Sequence, residues 1–430
     1  MSRIIFQPEL PVVYSAPNRT DIACFIGFLS LRPGAAIPGA ITTWLGRQVL
    51  PRRAKVDILK DVPVPIDDWA VFDSLFSWDQ RSDDPDDGGT YVGCAVRSFF
   101  AQGGRKCYII RMGDSVSSKV LQEHKNDLLG GLIPGTVIAD SKGDPDFLLD
   151  PVKVSPVDRA NWSGSGHLFG LPDVSFICFP DLPELVAHLP EAKPNIAGPP
   201  PEEEHFVECS TAPESTPDTI APEITAPRCN DQGYTLWARV LQRLQVLARQ
   251  DALIREMQLI AGVPLPDEGS AASTDIFNYL SGKDAGLGVL PRLPSLEEVY
   301  LPHQILPSVA VDSSARYGAF IQLAYPWLRT NHSANMAEGL ENPEGVLAGL
   351  LARNSLTRGT FNSATKIDVA DVFDVYPILR SHETQTPGLP GAAARPQDLQ
   401  RNLVQRVSLF APAPVGISLI SDVTIHPDET

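Results

Sequence analysis

Gly318-Ala-Phe-Ile-Gln-Leu-Ala-Tyr325-Pro326-Trp327-Leu328, then a polar loop, then Asn342-Pro343-Glu344-Gly345 and a run to Arg358, is the stretch on which the fold turns. Residues 318–325 have the apolar density of a buried strand, and Pro326 ends it because proline has no N–H to give to a ladder. Trp327 and Leu328 are expected to cap the strand end. Val346, Leu347, Leu350, Leu351 and Arg353 follow helical spacing, with a proline and an acid at the positive end of the helix. The stretch offers no nucleophile, general base or phosphate cradle.

Outward from it, residues 22–28, 107–111 and 174–179 also read as apolar strands, and 69–76, 92–101, 234–262 and 344–354 as helices. Short buried strands separated by helices predict an α/β fold, a layered sheet with helices on both faces. Residues 42–66, 113–160 and 263–310 are richer in Pro, Gly and Asp and are expected to form loops or a smaller β-rich subdomain. The helix at 234–262 carries Leu236, Trp237, Val240, Leu241, Leu244, Ile254, Met257 and Ile260 on one stripe, read as core packing, with Asp231 as its N-cap.

The chain has 430 residues, enough for one large or two ordinary domains, and no apolar run near the roughly 18 residues of a membrane span. Its start, Met1-Ser-Arg-Ile-Ile-Phe-Gln-Pro8, lacks the apolar core and cleavage site of a secretory signal, so cytoplasmic synthesis is expected. Cys24, Cys94, Cys107, Cys178, Cys209 and Cys229 show no metal-ligand spacing, and reduced buried thiols are expected at four of them. A net charge of −17 repels phosphate and argues against nucleic acid as a partner. The basic run Arg47, Arg52, Arg53 and Lys55 reads as a solvated edge, or as a face for an acidic neighbour.

Enzyme signatures fail one by one. Gly164-Ser-Gly166-His-Leu-Phe-Gly170 nearly makes a dinucleotide fingerprint, but its last glycine comes one residue late and a strand follows where a helix should. Ser165 is not in Gly-x-Ser-x-Gly order. After Gly282-Lys283 comes Asp284, which would oppose a phosphate, and His382-Glu383 lacks the second histidine of a zinc-protease helix. His205 and Cys209 sit in a stretch too rich in proline for a helical metal site. No catalytic residue, cofactor or metal is therefore expected; a hydrolase with an irregular site is the enzymatic alternative.

What these residues do resemble is the tail sheath protein of contractile phages and phage-like injection systems. In that family a Tyr-Pro-Trp-Leu strand end precedes a Pro-x-Gly-x-x-Ala-Gly-x-x-Ala-Arg helix. Here stand Tyr325-Pro326-Trp327-Leu328 and Pro343-Glu344-Gly345-Val346-Leu347-Ala348-Gly349-Leu350-Leu351-Ala352-Arg353. Three further segments are similar to the family in the expected order: the early helix 68–76, the helix, glycine cap and strand of 91–111, and residues 162–181 ending in Pro180-Asp181.

The resemblance implies a structural subunit of stacked hexameric rings around an inner tube, with sheath paralogues and baseplate proteins as further partners and no insertion into a membrane. It implies extended arms that add strands to neighbouring subunits. At the N-terminus Ile4, Phe6, Leu10, Val12, Val13 and Tyr14 stand among Pro8, Pro11 and Pro17, which forbid a helix; they are the expected partner contacts, and a folded edge strand is the alternative. The expected organisation is an arm at 1–20, a first core part at 21–193, a disordered Pro/Glu-rich insertion at 194–229 and a second core part at 230–430. Residues 403–424 resemble the approach to the family's C-terminal domain, and the chain stops at Thr430. A specialised sheath subunit at one end of the tail, near the baseplate, is expected from this, with a truncated product or a baseplate or cap component of partial sheath fold as alternatives.

Overall fold

The computed structural model describes residues 19–48, 50–83, 88–132, 136–141, 144–149, 159, 162–188, 225–248, 257–273, 276, 279, 321–360, 362, 364, 367–378, 405–412 and 417–425. The expected arm contacts Ile4, Phe6, Leu10, Val12, Val13 and Tyr14, and the insertion as far as residue 224, lie outside the described residues.

In chain order the elements are β1 (Ala23–Phe28), β2 (Ser30–Leu31), α1 (Gly39–Arg47), β3 (Pro63–Ile66), α2 (Trp69–Leu75), β4 (Phe76–Ser77), α3 (Tyr91–Ala101) and β5 (Cys107–Gly113). Next come α4 (Ser118–Glu123), α5 (Lys125–Leu132), β6 (Thr136–Ser141), β7 (Asp144–Leu149), β8 (Phe176–Cys178), α6 (Leu182–Val186), β9 (Arg228–Cys229) and α7 (Asp231–Ala248). Then follow β10 (Gln258–Gly262), β11 (Leu265–Pro266), β12 (Ile321–Tyr325), β13 (Trp327–Thr330), α8 (Glu344–Thr357), β14 (Ile367–Val369), β15 (Val372–Tyr376), β16 (Gln405–Pro412) and β17 (Ile417–Ile425).

A nine-stranded sheet organises them, in the order β14, β17, β16, β12, β10, β8, β1, β5, β3. From β5 to β16 the strands run parallel. Antiparallel β3 closes one edge, where Pro63 and Pro65 lack the N–H groups a further strand would need, and β17 and β14 extend the other. Strand β1 shows why both faces are covered. Cys24, Ile26 and Phe28 point into a core built with Leu121, Leu129, Leu185, Trp237 and Leu241 of α4 to α7, while Ala23 and Phe25 point into a second core with Phe72, Val96, Phe99, Val346 and Leu350 of α2, α3 and α8. The expected α/β layering is what the chain adopts, with four small two-stranded sheets beside it among the described residues.

Local chemistry sets the helix starts. Asp68 accepts a hydrogen bond from the Ala70 N–H and opens α2, Thr90 accepts from the Gly93 N–H and opens α3, and Pro343 precedes α8.

Three expectations change. Of the helix foreseen over 234–262, the described part is α7, Asp231–Ala248, and Gln258–Gly262 is instead a central strand. Its Ile260 enters one core and Leu259 and Ala261 the other, and a run apolar on both faces carries no period that separates strand from helix. Asn230, not Asp231, caps α7, its Oδ1 accepting from the Gly233 N–H at 2.9 Å; the Asp231 carboxylate instead takes the Ser270 hydroxyl at 2.7 Å. Trp327 and Leu328 do not close the strand end but begin β13, which pairs antiparallel with β15. The foreseen loop-rich stretches hold edge strand β3, helices α4 and α5 and the β6/β7 pair. Gln405–Pro412 and Ile417–Ile425 enter the central sheet, β16 pairing directly with β12. At the end of the insertion, Ala226 is buried with its N–H on Glu338, and Arg228 and Cys229 pair with β11.

Candidate functional site

In a parallel sheet wound in both directions, a crevice forms beyond the strand ends where the connections diverge, and ligands settle there. From β1 the chain passes to β5 on one side and later to β8 on the other, so that place is the C-terminal end of β1 and β8. The chain's own carboxylates occupy it. Asp181, three residues past β8, accepts from the Phe28 N–H at the end of β1 (2.7 Å) and from the Val92 N–H in the first turn of α3 (3.1 Å). Glu344, the first residue of α8, accepts from the Phe179 N–H beyond β8 (2.8 Å) and from the Gly262 N–H at the end of β10 (2.7 Å). Asn342 completes the joint, donating to the Pro180 carbonyl and accepting from the Glu344 N–H, both at 3.1 Å. Gly27 and Gly262 are required here, because a Cβ on either would overlap Asp181 or Asn342.

A third acid lies beside them. Glu341 accepts from the Cys94 thiol at 2.6 Å and from the Ser98 hydroxyl at 2.9 Å, both on α3. Arg81 pairs with Glu184 at 2.8 Å, and both are buried. Burial pushes the carboxyl of Asp181 up to about 7, that of Glu341 to about 7 and that of Glu344 to about 8, against the opposing pull of the hydrogen bonds each accepts. The motif residues of the sequence meet at this joint. Trp327 packs edge-to-face on Tyr91 with ring centroids 5.5 Å apart and donates from Nε1 to the Val263 carbonyl at 2.9 Å. Gly345 and Gly349 let α8 lie directly on the backbone of α3 at Ala95 and Phe99.

No protein family and no curated protein matches this chain. Solved structures do. The chain is similar to the anti-feeding prophage baseplate in its contracted state, with a TM-score of 0.47 and 14% identity over 99% of this chain and 70% of that one. It is also similar to the helical sheath of the anti-feeding prophage in the contracted state, with a TM-score of 0.39 and 12% identity over 98% and 66%. A third similarity is to the contracted PVC sheath complex of an extracellular contractile injection system, with a TM-score of 0.39 and 10% identity over 100% and 68%. These neighbours are sheath and baseplate components of contractile injection systems.

The remaining residues singled out by sequence fall apart from one another. Gly164–Gly170 is a 3-10 helix followed by β8, and Gly164, at φ 52°, approaches the Leu132 carbonyl. Within it Ser165 is fully buried and His167 bonds Asp61 at 3.0 Å. Cys24, Cys94, Cys107, Cys178 and Cys229 are free and buried, and burial raises every one of their thiol pKa values. Arg47, Arg52, Arg53 and Lys55 are exposed. His205, Cys209, Lys283, Asp284, His382 and Glu383 lie outside the described residues. Among the described residues no group of three or more His, Cys, Asp and Glu could hold a metal, and no helix is long and apolar enough to cross a membrane. Sequence reasoning noted Asp181 and Glu344 only as parts of motifs and passed over Glu341, since nothing local distinguishes an acid that will be buried.

Proposed function

We propose that the chain is a structural subunit of a contractile sheath, working through contacts between subunits rather than on a small molecule. One observation carries this: the crevice in which an α/β sheet would hold a ligand is filled by Asp181 and Glu344, whose oxygens already take the strand-end N–H groups. Acids bonded in this way lock helices to strands. The segments that resemble sheath proteins, 91–111, 162–181 and 325–353, support the same reading, because they pack on one another at this joint. In this reading subunits form hexameric rings around an inner tube and meet sheath paralogues and baseplate proteins, with residues 4–14 as a donated strand.

The test is to tag the chain in its source cell, purify tail-like particles and locate the tag by electron microscopy. Tag along the sheath, or at its baseplate end as a specialised subunit, is the expected result. A soluble chain absent from particles would overturn it. Deleting residues 2–17 should abolish incorporation while leaving the thermal unfolding of the isolated chain unchanged.

A further inference from the structure

Residues 47–62 carry the cations Arg47, Arg52, Arg53, Lys55 and Lys60 against Asp57 and the buried Asp61, in a chain whose net charge is −17. Arg47, Arg52, Arg53 and Lys55 are exposed, and among the described residues none of the four pairs with a carboxylate. The backbone beneath them is well anchored. Pro51 and Leu59 are buried, and the Ala54 N–H donates to the Pro51 carbonyl at 3.0 Å. Lys55 and Lys60 exchange backbone hydrogen bonds at 3.0 and 2.9 Å, and Arg111 Nη1 donates to the Ile58 carbonyl at 3.1 Å. Cations on such a frame are already placed when a partner meets them, which lowers the ordering cost of contact.

A face of opposite character lies elsewhere on the molecule. Arg228, engaged with Glu338, lies over the Tyr376 ring, and the next residue, Cys229, takes the Asp267 N–H on its carbonyl at 2.9 Å. Asp231, Asp267 and Glu268 therefore stand beside the ribbon of β13 and β15, and among the described residues none of these acids pairs with a cation. On the ribbon Phe373 and Tyr376 are 61% and 36% exposed, and Ile378 just past it is 68% exposed. Strands β8, β1 and β5 separate β10, whose end leads to this face, from β3, which the basic run precedes. At about 4.8 Å per strand the two faces are about 19 Å apart or more, so one copy does not satisfy its own charges.

We propose that the basic run of one copy docks on the acidic and apolar face of a second copy. Basic run on basic run repels, so the contact is not twofold. It is heterologous: each copy uses one face on one neighbour and offers the other face to the next, as a ring or a stack requires. The proposal rests on the reading of the chain as an assembling subunit and adds which faces meet. Exposed ion pairs are individually weak, so the contact needs several of them together with the ribbon's apolar side chains, and it is governed by salt.

Sedimentation of the purified full chain at about 25 mM and about 500 mM salt tests this. Wild type should self-associate at low salt, with an apparent dissociation constant about tenfold or more higher at high salt. Two charge reversals probe the two faces, Arg52→Glu with Arg53→Glu and Asp267→Lys with Glu268→Lys. Both keep the fold, because Arg52 and Arg53 make no ion pair among the described residues and the Asp267 carboxylate takes only the neighbouring Glu268 N–H. Each double variant alone should stay monomeric at low salt, and an equimolar mixture of the two should associate, since the reversed faces then match. Phe373→Ser with Ile378→Ser should weaken association at both salt levels. A wild type that is monomeric at low salt, a charge variant that associates as wild type does, a mixture that stays monomeric, or an unchanged Phe373→Ser, Ile378→Ser variant would each overturn the contact. A chain that passes these tests yet is absent from tail-like particles would sink the sheath reading and leave the contact standing.

Discussion

The joint between α8 and the strand ends and the ribbon of β13 and β15 belong to one stretch of chain, yet they are built on opposite terms. At the joint backbone meets backbone: Gly345 has no room for a Cβ beside the Ala95 carbonyl, and polar groups are paired within the protein. On the ribbon Val372 and Val375 turn inward, but Phe373 is 61% exposed and Ile378, just beyond it, 68% exposed. Side chains packed inward, at the joint and on the inner face of the ribbon alike, hold the fold; the outward Phe373 and Ile378 leave it almost untouched. The contrast separates residues that define the subunit from residues available to whatever the subunit touches.

The sharpest way to break this contrast is Trp327→Ala. Trp327 is fully buried, and truncating such an aromatic costs about 3–5 kcal/mol, so the melting temperature should collapse in a calorimetric scan. Phe99→Ala, which removes the ring set on Phe25 at 5.6 Å, belongs to the same class. Gly345→Ala comes next. It forces α8 away from α3 and should cost about 1–3 kcal/mol in urea unfolding, although alanine is the better helix former and an exposed helical glycine would gain stability from the change. A gain at Gly345 would show that the two helices do not touch there.

Arg228 tests the ground between the two regions. Its guanidinium holds Glu338 at 2.6 and 3.0 Å and lies over the Tyr376 ring, tying the chain that leaves the 194–224 segment to the ribbon. Both partners are mostly buried, so Arg228→Met should cost about 1 kcal/mol, more than a surface ion pair, and the loss should persist in high salt. The smallest effect is expected from Phe373→Ser with Ile378→Ser, within about 0.5 kcal/mol by thermal unfolding. A large loss there would mean that the ribbon's outer side chains belong to the core.

Much of the framework was legible beforehand for reasons that are local. Strand β1 and strand β12 are dense in apolar residues, α2 and α3 begin at Asp68 and Thr90 with the caps such residues make, and α8 begins behind Pro343. Strand β10 misled, because Leu259-Ile-Ala261 is apolar on every side and its state depends on the flanking β8 and β12. At Gly164–Gly170 the late glycine and the strand after it already spoke against a dinucleotide fingerprint, and the stretch is a 3-10 helix ahead of β8.

Sequence by itself determined most of the alternation of strands and helices and the absence of a recognised catalytic pattern, since each is written in neighbours a few residues apart. Only the tertiary structure decided what Asp181 and Glu344 are for. Their donors lie 153 residues away at Phe28 and 165 residues away at Phe179, so no local pattern marks either acid as buried. The same distance explains their chemistry. A carboxyl on an exposed helix start would be an ordinary cap, but carried against the ends of a parallel sheet it loses its water, gains backbone N–H groups and holds its proton to about pH 7 or 8.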